Sequence, residues 1–303
     1  RDVPDSYYDS VVKAVQEAKG ELSDKKFTEY SRTILALTAI GKDPTDVGGY
    51  DLLAKLADMD DVTYQGLNGA IFALIALDSG KYDVPAAAEG GKQTTRDGLL
   101  AYILEQQLSD GGWALSGDNA DPDMTAMALQ ALAPYRTGDA AVQTAVDKAL
   151  QVLSDMQQAD GGYSSWGTLN SESCAQVLIA LASLGIDPAS DSRFAKNGLT
   201  VLDALLAYAL DGSFRHMADG KVDAIATEQA LCAMTAYARL LDGKTALYDM
   251  ADVLGGQTAD TPDDTAADEQ PAKTTPVVVW IALGVVALGG GTALIVVRRR
   301  RGE

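Results

Sequence analysis

Apolar residues recur at helical spacing along most of the first 254 residues. Amphipathic segments, with leucine and isoleucine on one side and polar residues on the other, alternate with Ala-rich segments. No stretch of useful length alternates apolar and polar residues as a strand does. The pattern predicts an all-α fold made of helix pairs. The clearest amphipathic segments are GLLAYILEQQL, KALQVLSDMQQ and VLDALLAYAL, and they are followed by MTAMALQALAPY, SESCAQVLIALASLG and ATEQALCAMTAYARL.

A short turn motif lies inside three of these pairs. Asp110, Asp160 and Asp211 each begin an Asp-Gly-(Gly/Ser)-aromatic sequence, at spacings of 50 and 51 residues. Self-similarity at a fixed period indicates a repeat architecture whose unit here is helix, Gly turn, loop and helix. Two weaker pairs precede these three and a further helix follows them, which gives five pairs and an eleventh helix. The additional segments are 6–18, 50–58 and 245–254.

Small side chains along one helix of each pair permit close approach of neighbouring helices. Those helices are expected to form an inner layer, with their amphipathic partners outside. A linear solenoid is the alternative, but it usually needs polar capping repeats and more uniform units. We therefore expect residues 1–254 to form an α/α toroid with two concentric helical layers.

The end of the chain has a different composition. Residues 277–297 contain no charged side chain over 21 positions, and about 20 residues cross a hydrocarbon core as a helix. A buried core helix is the alternative, but Pro276 precedes the segment and four arginines follow it directly. Since basic residues stay on the cytoplasmic side, the pattern predicts a transmembrane helix at 277–297. It also predicts a basic cytoplasmic tail at 298–303 and an extracellular toroid.

Residues 255–276 are rich in Gly, Thr, Pro and acidic residues, so we expect a solvated linker there. The end of the chain also resembles a Gram-positive sortase signal. No Pro-x-Thr-Gly sequence lies upstream, which favours a retained membrane anchor over attachment to the cell wall. The chain opens on Arg1 without an apolar signal segment. We therefore expect a processed form or a fragment of a single-pass protein of a Gram-positive cell membrane.

The charge of the chain excludes several functions. Its 303 residues hold 24 basic and 43 acidic side chains, a net charge of −19, and residues 1–254 alone hold 37 acidic against 19 basic ones. Binding to nucleic acid calls for a basic face, so no nucleic-acid partner is expected. One His and two Cys are too few for a zinc cluster or a disulfide framework. No metal site is expected either.

The segments YILEQQLSDGGW and VLSDMQQADGGY resemble the Gln/Trp repeats of squalene cyclases. The wider superfamily includes terpene cyclases, protein prenyltransferase β-subunits and the cobalamin carriers intrinsic factor and transcobalamin. The resemblance covers residues 5–254 and implies an α/α toroid, but it does not by itself imply an activity. It also implies that the Gln ties one helix to the start of the next while the aromatic packs beneath it. The residues that match these structural roles are Gln107, Gly111, Trp113, Gln157, Gly161, Tyr163 and Phe214, and the third unit has lost its Gln.

An acidic sequence follows the first turn motif. The residues DPDMTA, beginning at Asp121, resemble the Asp-x-Asp-Asp-Thr-Ala motif of proton-initiated terpene cyclases, whose middle Asp protonates an alkene. Asp121 and Asp123 match the first two acids, but Met124 replaces the third. A protonated acid needs surroundings that raise its pKa. The same stretch resembles a helix start in the cobalamin carriers, and a plain Asp N-cap with Pro122 in the first turn is the structural alternative.

Zinc-dependent prenyl transfer is not expected. Glu172, Cys174 and His216 match an Asp-Cys-His zinc set only in part, because the Asp is missing. Chemistry on a diphosphate also needs a cationic pocket or Mg²⁺, and the chain is acidic. Cys174 and Cys232 are expected to be free and buried, since their aligned helices separate them by about 7.5 Å along the axis, too far for a disulfide.

Polar and aromatic residues near the repeat turns are candidates for a ligand rim, because loops at one end of a helical ring border its cavity. Trp166 is the preferred contact, since its Gly and Ser neighbours provide little local core. The candidate ligand-binding residues are Trp166, Asp121, Asp123, Glu172, His216 and Glu228.

The sequence favours a membrane-anchored extracellular binding module with no assigned catalytic residue and no required cofactor. Its expected partners are the lipid bilayer, through residues 277–297, and a small molecule, peptide, glycan or other surface partner. The resemblance to cobalamin carriers makes a corrinoid the specific ligand hypothesis, although those carriers close over the ligand with a second domain. The alternative is a squalene-type terpenoid cyclase using Asp123 with Asp121, although such cyclases have two helical domains. A scaffold or adhesion role is a third hypothesis.

Overall fold

A computed structural model describes residues 5–255, and this part of the chain is predominantly helical, as predicted. Its helices are α1 (Asp5–Glu17), α2 (Thr28–Ala39), α3 (Met59–Val62), α4 (Leu67–Ser79), α5 (Arg96–Glu105), α6 (Pro122–Leu132), α7 (Ala140–Met156), α8 (Ser171–Ser183), α9 (Val201–Leu206), α10 (Ala224–Leu241) and α11 (Ala251–Gly255). Three antiparallel hairpins of two-residue strands connect some of them. They pair β1 (Ser164–Ser165) with β2 (Thr168–Leu169), β3 (Ala195–Lys196) with β4 (Leu199–Thr200), and β5 (Ala209–Leu210) with β6 (Ser213–Phe214).

The Ala-rich helices form a continuous packed row. The Ala-rich helices α2, α4, α6, α8 and α10 pack against one another in chain order, and we call them the inner helices. Most residues of α4 and α8 are buried, since their small side chains allow neighbours to approach on several sides. An outer helix such as α7 buries only one stripe, including Val142, Val146 and Leu153, as expected for a helix with a single packed face.

The inner helices leave one narrow face less covered near their N-terminal ends, and we call it the open face. Its residues are half-buried or exposed and recur one turn apart, which places them on one side of each helix. One turn closer to the C-terminal end, the same side of each helix is buried and closes the open face from below. The residues of the open face are Arg32, Asn68, Phe72, Asp123, Met127, Glu172, Gln176 and Gln229, and those that close it below are Leu35, Ile75, Gln130 and Ile179.

Three predicted helices are shorter in the structure, each because local bonds compete with the helix. Segment 50–58 holds only a 3₁₀ turn, and Asp58 then caps the separate helix α3 by accepting from the Asp60 amide at 2.9 Å. The helix expected to run to Leu210 ends at Leu206, because β5 pairs with β6. The last helix begins at Ala251 rather than Thr245, whose hydroxyl donates to the Asp249 carbonyl at 2.8 Å.

Between residues 5 and 255 no helix combines the length and apolar character that a membrane span requires. The predicted linker after residue 255, the span at 277–297 and the basic tail at 298–303 lie outside the described residues.

Candidate functional site

The repeat turns place the N-terminal ends of α6, α8 and α10 in equivalent positions. The backbone amide of Trp113 donates to the Thr125 hydroxyl at 3.0 Å, and that of Phe214 donates to the Thr227 hydroxyl at 2.9 Å. In each case an aromatic from the turn is tied to the first turn of the following inner helix. Trp113, Tyr163 and Phe214 are all buried there.

In the middle repeat, Cys174 occupies the position of those two threonines. The Tyr163 backbone lies beside the Cys174 thiol and lowers its pKa slightly, whereas burial raises that pKa to about 12. A thiol of this kind is inert as a nucleophile at neutral pH. Both cysteines are free as predicted, and Cys174 is buried, but Cys232 is only half-buried.

Two glutamines hold the turns against the next outer helix or hairpin. The Gln107 amide donates to the carbonyls of Gly111 at 2.8 Å and Ala145 at 2.9 Å. Gln157 repeats the pattern, with donation to the carbonyls of Gly161 at 2.9 Å and Phe194 at 3.0 Å. Such bonds fix the turn because each glutamine ties a carbonyl of its own turn to a carbonyl of the next outer helix or hairpin.

Gln157→Ala is expected to lower the free energy of unfolding by about 2 kcal/mol, because it removes two buried hydrogen bonds and side-chain packing. Gln107→Ala should lower it less, since Gln107 is only half-buried. Gln158→Ala is the control, because the side chain of this exposed neighbour bonds only to the Met156 carbonyl among the described residues. Urea unfolding of the three variants measures the effect. Equal losses of stability in Gln157→Ala and Gln158→Ala would contradict a structural role for the two hydrogen bonds of Gln157.

Asp121 caps α6 and links it to a hairpin. Its Oδ1 accepts from the backbone amides of Asp123 at 3.0 Å and Met124 at 3.1 Å, so the N-cap alternative applies to this residue. Its other oxygen, Oδ2, accepts from the Ser165 hydroxyl at 2.5 Å. Asp121 is therefore fully engaged and positions the hairpin β1–β2 over the start of α6.

Asp123 has a different environment from Asp121. Its Oδ1 is buried and has no hydrogen-bond partner among the described residues, and the buried Ser173 hydroxyl facing it is likewise unpaired. Burial raises the pKa of Asp123, and the nearby charges of Asp121 and Glu172 add to that shift, so that the pKa lies at about 6. The nearby Ser173 and Ser165 hydroxyls oppose that shift in part, although neither makes a hydrogen bond of normal geometry with Asp123 and the Ser165 hydroxyl donates to Asp121. Asp123 can thus hold a proton at mildly acidic pH and release it near neutrality.

Glu172 and His216 form a hydrogen bond at the start of α8. The His216 Nδ1 lies 2.9 Å from Glu172 Oε2, and the Ser171 amide donates to the His216 carbonyl at 3.1 Å. The Ser171 hydroxyl also donates to Glu172 at 3.0 Å. The structure therefore brings together two residues 44 positions apart in sequence, next to Asp123.

Trp166 lies at the tip of the hairpin β1–β2, and its side chain is 81% exposed. Its φ is +52° and that of Gly167 is +79°, so the two residues form a turn with both central residues left-handed. Such turns favour Asn-Gly or Asp-Gly, and the chain uses Asn197-Gly198 and Asp211-Gly212 in its other two hairpins. A bulky aromatic at this position is a strained choice.

Glu228 does not join the cluster around Asp123. It lies on α10, where burial raises its pKa and the Arg32 guanidinium of α2 lowers it. Of the six predicted ligand-binding residues, the structure groups Asp121, Asp123, Glu172 and His216, with Trp166 on the adjoining hairpin. Sequence reasoning missed Ser165, Ser173 and Arg32. Ser165 stands next to Trp166 and could have been noticed, but Ser173 and Arg32 carry no local signal.

Within residues 5–255 no three His, Cys, Asp or Glu side chains gather closely enough to hold a metal ion. The cluster around Asp123 holds carboxyl groups, hydroxyls and one imidazole. Such a set can accept hydrogen bonds, bind a cationic group or transfer a proton.

No protein-family model matches the chain, and no curated protein matches it. Among solved structures it is similar to ent-copalyl diphosphate synthase from Streptomyces platensis, with 21% sequence identity and a TM-score of 0.40. The match covers 76% of this chain and 54% of that one, so the chain spans about half the length of that enzyme. Support for a function therefore comes from the geometry of the site itself.

Proposed function

We propose that the inner helices close into an α/α toroid whose open face lines the entrance of a central cavity. Their packing in chain order supports this closure. So does the approach of the first and last inner helices, since Arg32 on α2 affects the pKa of Glu228 on α10. Helix α11 packs on α2 and adds a contact between the two ends of the ring.

We further propose that the toroid is an extracellular binding module that captures a small molecule at this entrance. The observation that carries the proposal is Trp166, an exposed aromatic in a left-handed turn position that favours Asn or Asp. The strain costs about 1 kcal/mol or more, and an indole this exposed gains little packing in return. An aromatic contact to a ligand is the role that explains its presence.

The ligand hypothesis carried over from the cobalamin carriers is a corrinoid, whose flat ring system suits an exposed indole. Cyanocobalamin is therefore the first probe. Absorbance titration of the full chain in detergent should show a saturable spectral change at micromolar ligand. The absence of any change at that concentration would remove the corrinoid.

Trp166→Asn separates binding from folding. We expect this variant to lose ligand binding while its free energy of unfolding rises by up to about 1 kcal/mol, because Asn suits the turn better than Trp. Urea unfolding and the cobalamin titration measure the two effects. Asn197→Ala, in the equivalent turn of β3–β4, serves as a control that should lower stability and leave binding unchanged. A marked loss of stability in Trp166→Asn would show that the indole packs against the protein instead.

Membrane anchoring through residues 277–297 is part of the same proposal, supported by their apolar sequence and the arginines that follow. Alkaline extraction of membranes should leave the full chain in the pellet. Protease added to intact cells should degrade the toroid. Release of the chain by alkali would contradict a membrane-spanning anchor.

Acid-initiated terpenoid cyclisation is the second candidate, and the observation that favours it is Asp123. A half-buried carboxyl with a pKa of about 6 and an unpaired oxygen can donate a proton. Incubation of the full chain with squalene or geranylgeranyl diphosphate at pH 6, followed by product analysis, tests this activity. Cyclic products that disappear in Asp123→Asn would support the cyclase and displace the binding module.

A further inference from the structure

Arg32 differs from the other arginines of the described residues. It makes no hydrogen bond and no ion pair with any residue between 5 and 255, although this part of the chain has a large excess of carboxylates. Its side chain is exposed. The remaining arginines all donate to carboxylates or backbone carbonyls, and they are Arg96, Arg136, Arg193, Arg215 and Arg239.

The position of Arg32 on the open face follows from the repeat. The carbonyls of Leu37, Leu77 and Leu181 accept equivalent closing bonds at 2.9 Å at the ends of α2, α4 and α8. Five residues before each of them stand Arg32, Phe72 and Gln176. These three residues therefore occupy the same height on the same side of three inner helices.

Phe72 contacts the guanidinium of Arg32. The guanidinium carbon lies over the Phe72 ring, 4.9 Å from its centre, a cation–π contact between adjacent inner helices. This contact uses none of the guanidinium N–H groups as hydrogen-bond donors to oxygen. Arg32 therefore has a planar set of donors that no residue between 5 and 255 uses.

A carboxyl group lies close to Arg32 without bonding to it. Glu228 on α10 is near enough for its pKa to be lowered by Arg32, yet the two groups form no ion pair. The Tyr7 hydroxyl is buried without a partner among the described residues; burial raises its pKa, and the nearby charge of Glu228 adds to that shift. Asp123 and Glu172 lie on the same open face, on α6 and α8.

We propose that Arg32, in contact with Phe72, binds the carboxylate of a small monocarboxylate or zwitterionic ligand at the entrance of the toroid. The proposal rests on the proposed binding function and names the chemical class of the ligand. A planar fork matches a carboxylate through two parallel N–H to oxygen bonds. The acids on the remaining open face disfavour a second negative group on the ligand and favour a neutral or cationic one.

A matched series of four-carbon acids tests this assignment. Butyrate, 4-aminobutyrate and succinate are titrated into the full chain in lipid nanodiscs by calorimetry, with empty nanodiscs as the blank and inorganic phosphate as a further probe. Butyrate and 4-aminobutyrate should bind, and succinate and phosphate should bind more weakly. Arg32→Gln should weaken the binding of butyrate and 4-aminobutyrate by about tenfold or more. The affinity of Arg32→Lys for these ligands should lie between those of the original protein and Arg32→Gln, since Lys keeps the charge and loses the planar set of donors.

Arg193→Gln is the control, because Arg193 is already paired with Asp191 and should not affect binding. Equal affinity of the original protein and Arg32→Gln for butyrate would overturn the proposal, as would succinate or phosphate binding at least as tightly as butyrate. The two proposals fail separately. If the original protein binds butyrate but not cobalamin, the corrinoid hypothesis fails and the Arg32 assignment stands. If it binds cobalamin but not butyrate, the Arg32 assignment alone is overturned.

Discussion

Asp123→Asn is expected to stabilise the protein at pH 8 by about 2 kcal/mol and to leave its stability at pH 4 nearly unchanged. The pKa of Asp123 is about 6 in the folded protein, against an ordinary value of 3.8 for Asp, with burial as the main cause. Each pKa unit corresponds to about 1.4 kcal/mol. The full shift would give about 3 kcal/mol, and the partial solvent access of Asp123 reduces the expected figure.

The direction of this effect follows from proton linkage. A carboxyl whose pKa is higher in the folded than in the unfolded state binds its proton more tightly when folded. Its favourable contribution is complete below about pH 4 and is lost as the pH rises through about 6. Asn is neutral throughout, so the variant should lack this part of the pH dependence.

Urea unfolding of the full chain between pH 4 and pH 8 measures both proteins. Asp121→Asn is a matched control, because Asn remains a good N-cap while the neighbouring negative charge is removed. That change should lower the pKa of Asp123 and move the pH dependence to more acidic values. Identical pH profiles for the original protein and Asp123→Asn would mean that Asp123 has no raised pKa, and the case for a cyclase acid would fail with it.

Trp113→Ala is expected to lower the free energy of unfolding by about 4 kcal/mol, the range found for large aromatic residues removed from a core. The Trp113 side chain is fully buried, and its indole N–H donates to the Ile103 carbonyl at 2.7 Å. Truncation would leave both a cavity and an unpaired carbonyl at the end of α5. Chemical denaturation followed by circular dichroism measures the loss.

Trp113→Tyr is the matched control, since Tyr163 fills the equivalent position in the next repeat and is equally buried. We expect it to cost less than half as much as Trp113→Ala. A comparable loss for the Tyr and Ala variants would contradict the structural equivalence of the two turns. Trp166→Ala, at the exposed hairpin tip, should change stability by less than about 0.5 kcal/mol.

The helix pairs are the part of the fold that was predictable from sequence. Periodicity of apolar residues predicts α7 and α8, and the cap of α6 follows from Asp121 and Pro122, because these signals act within a few residues. The interruptions were less predictable. The short helix α9 ends where β5 and β6 pair, and nothing in its own apolar pattern indicates that competing hairpin.

The candidate site was also only partly predictable from sequence. Local sequence drew attention to Asp123 and Trp166, through an acidic motif and a loop with little core. The properties that matter for function came from elsewhere in the chain: Ser173 faces Asp123 from another helix, and His216 pairs with Glu172 across 44 positions. A pKa depends on burial and neighbouring charges, so it could not be predicted before the packing was known.

The sequence by itself determined the helical class, the period of the repeat and the acidity of the described part, because these depend on composition and on spacing within a single helix or turn. Only the tertiary structure decided which polar groups are paired and which are left free. Asp121 and Asp123 are two residues apart, yet one is fully bonded and the other holds an unpaired buried oxygen. The side chain of Arg32 is chemically identical to that of every other arginine, and only its neighbours in the fold differ. Pairing is set by neighbours that are distant in the chain and adjacent in space.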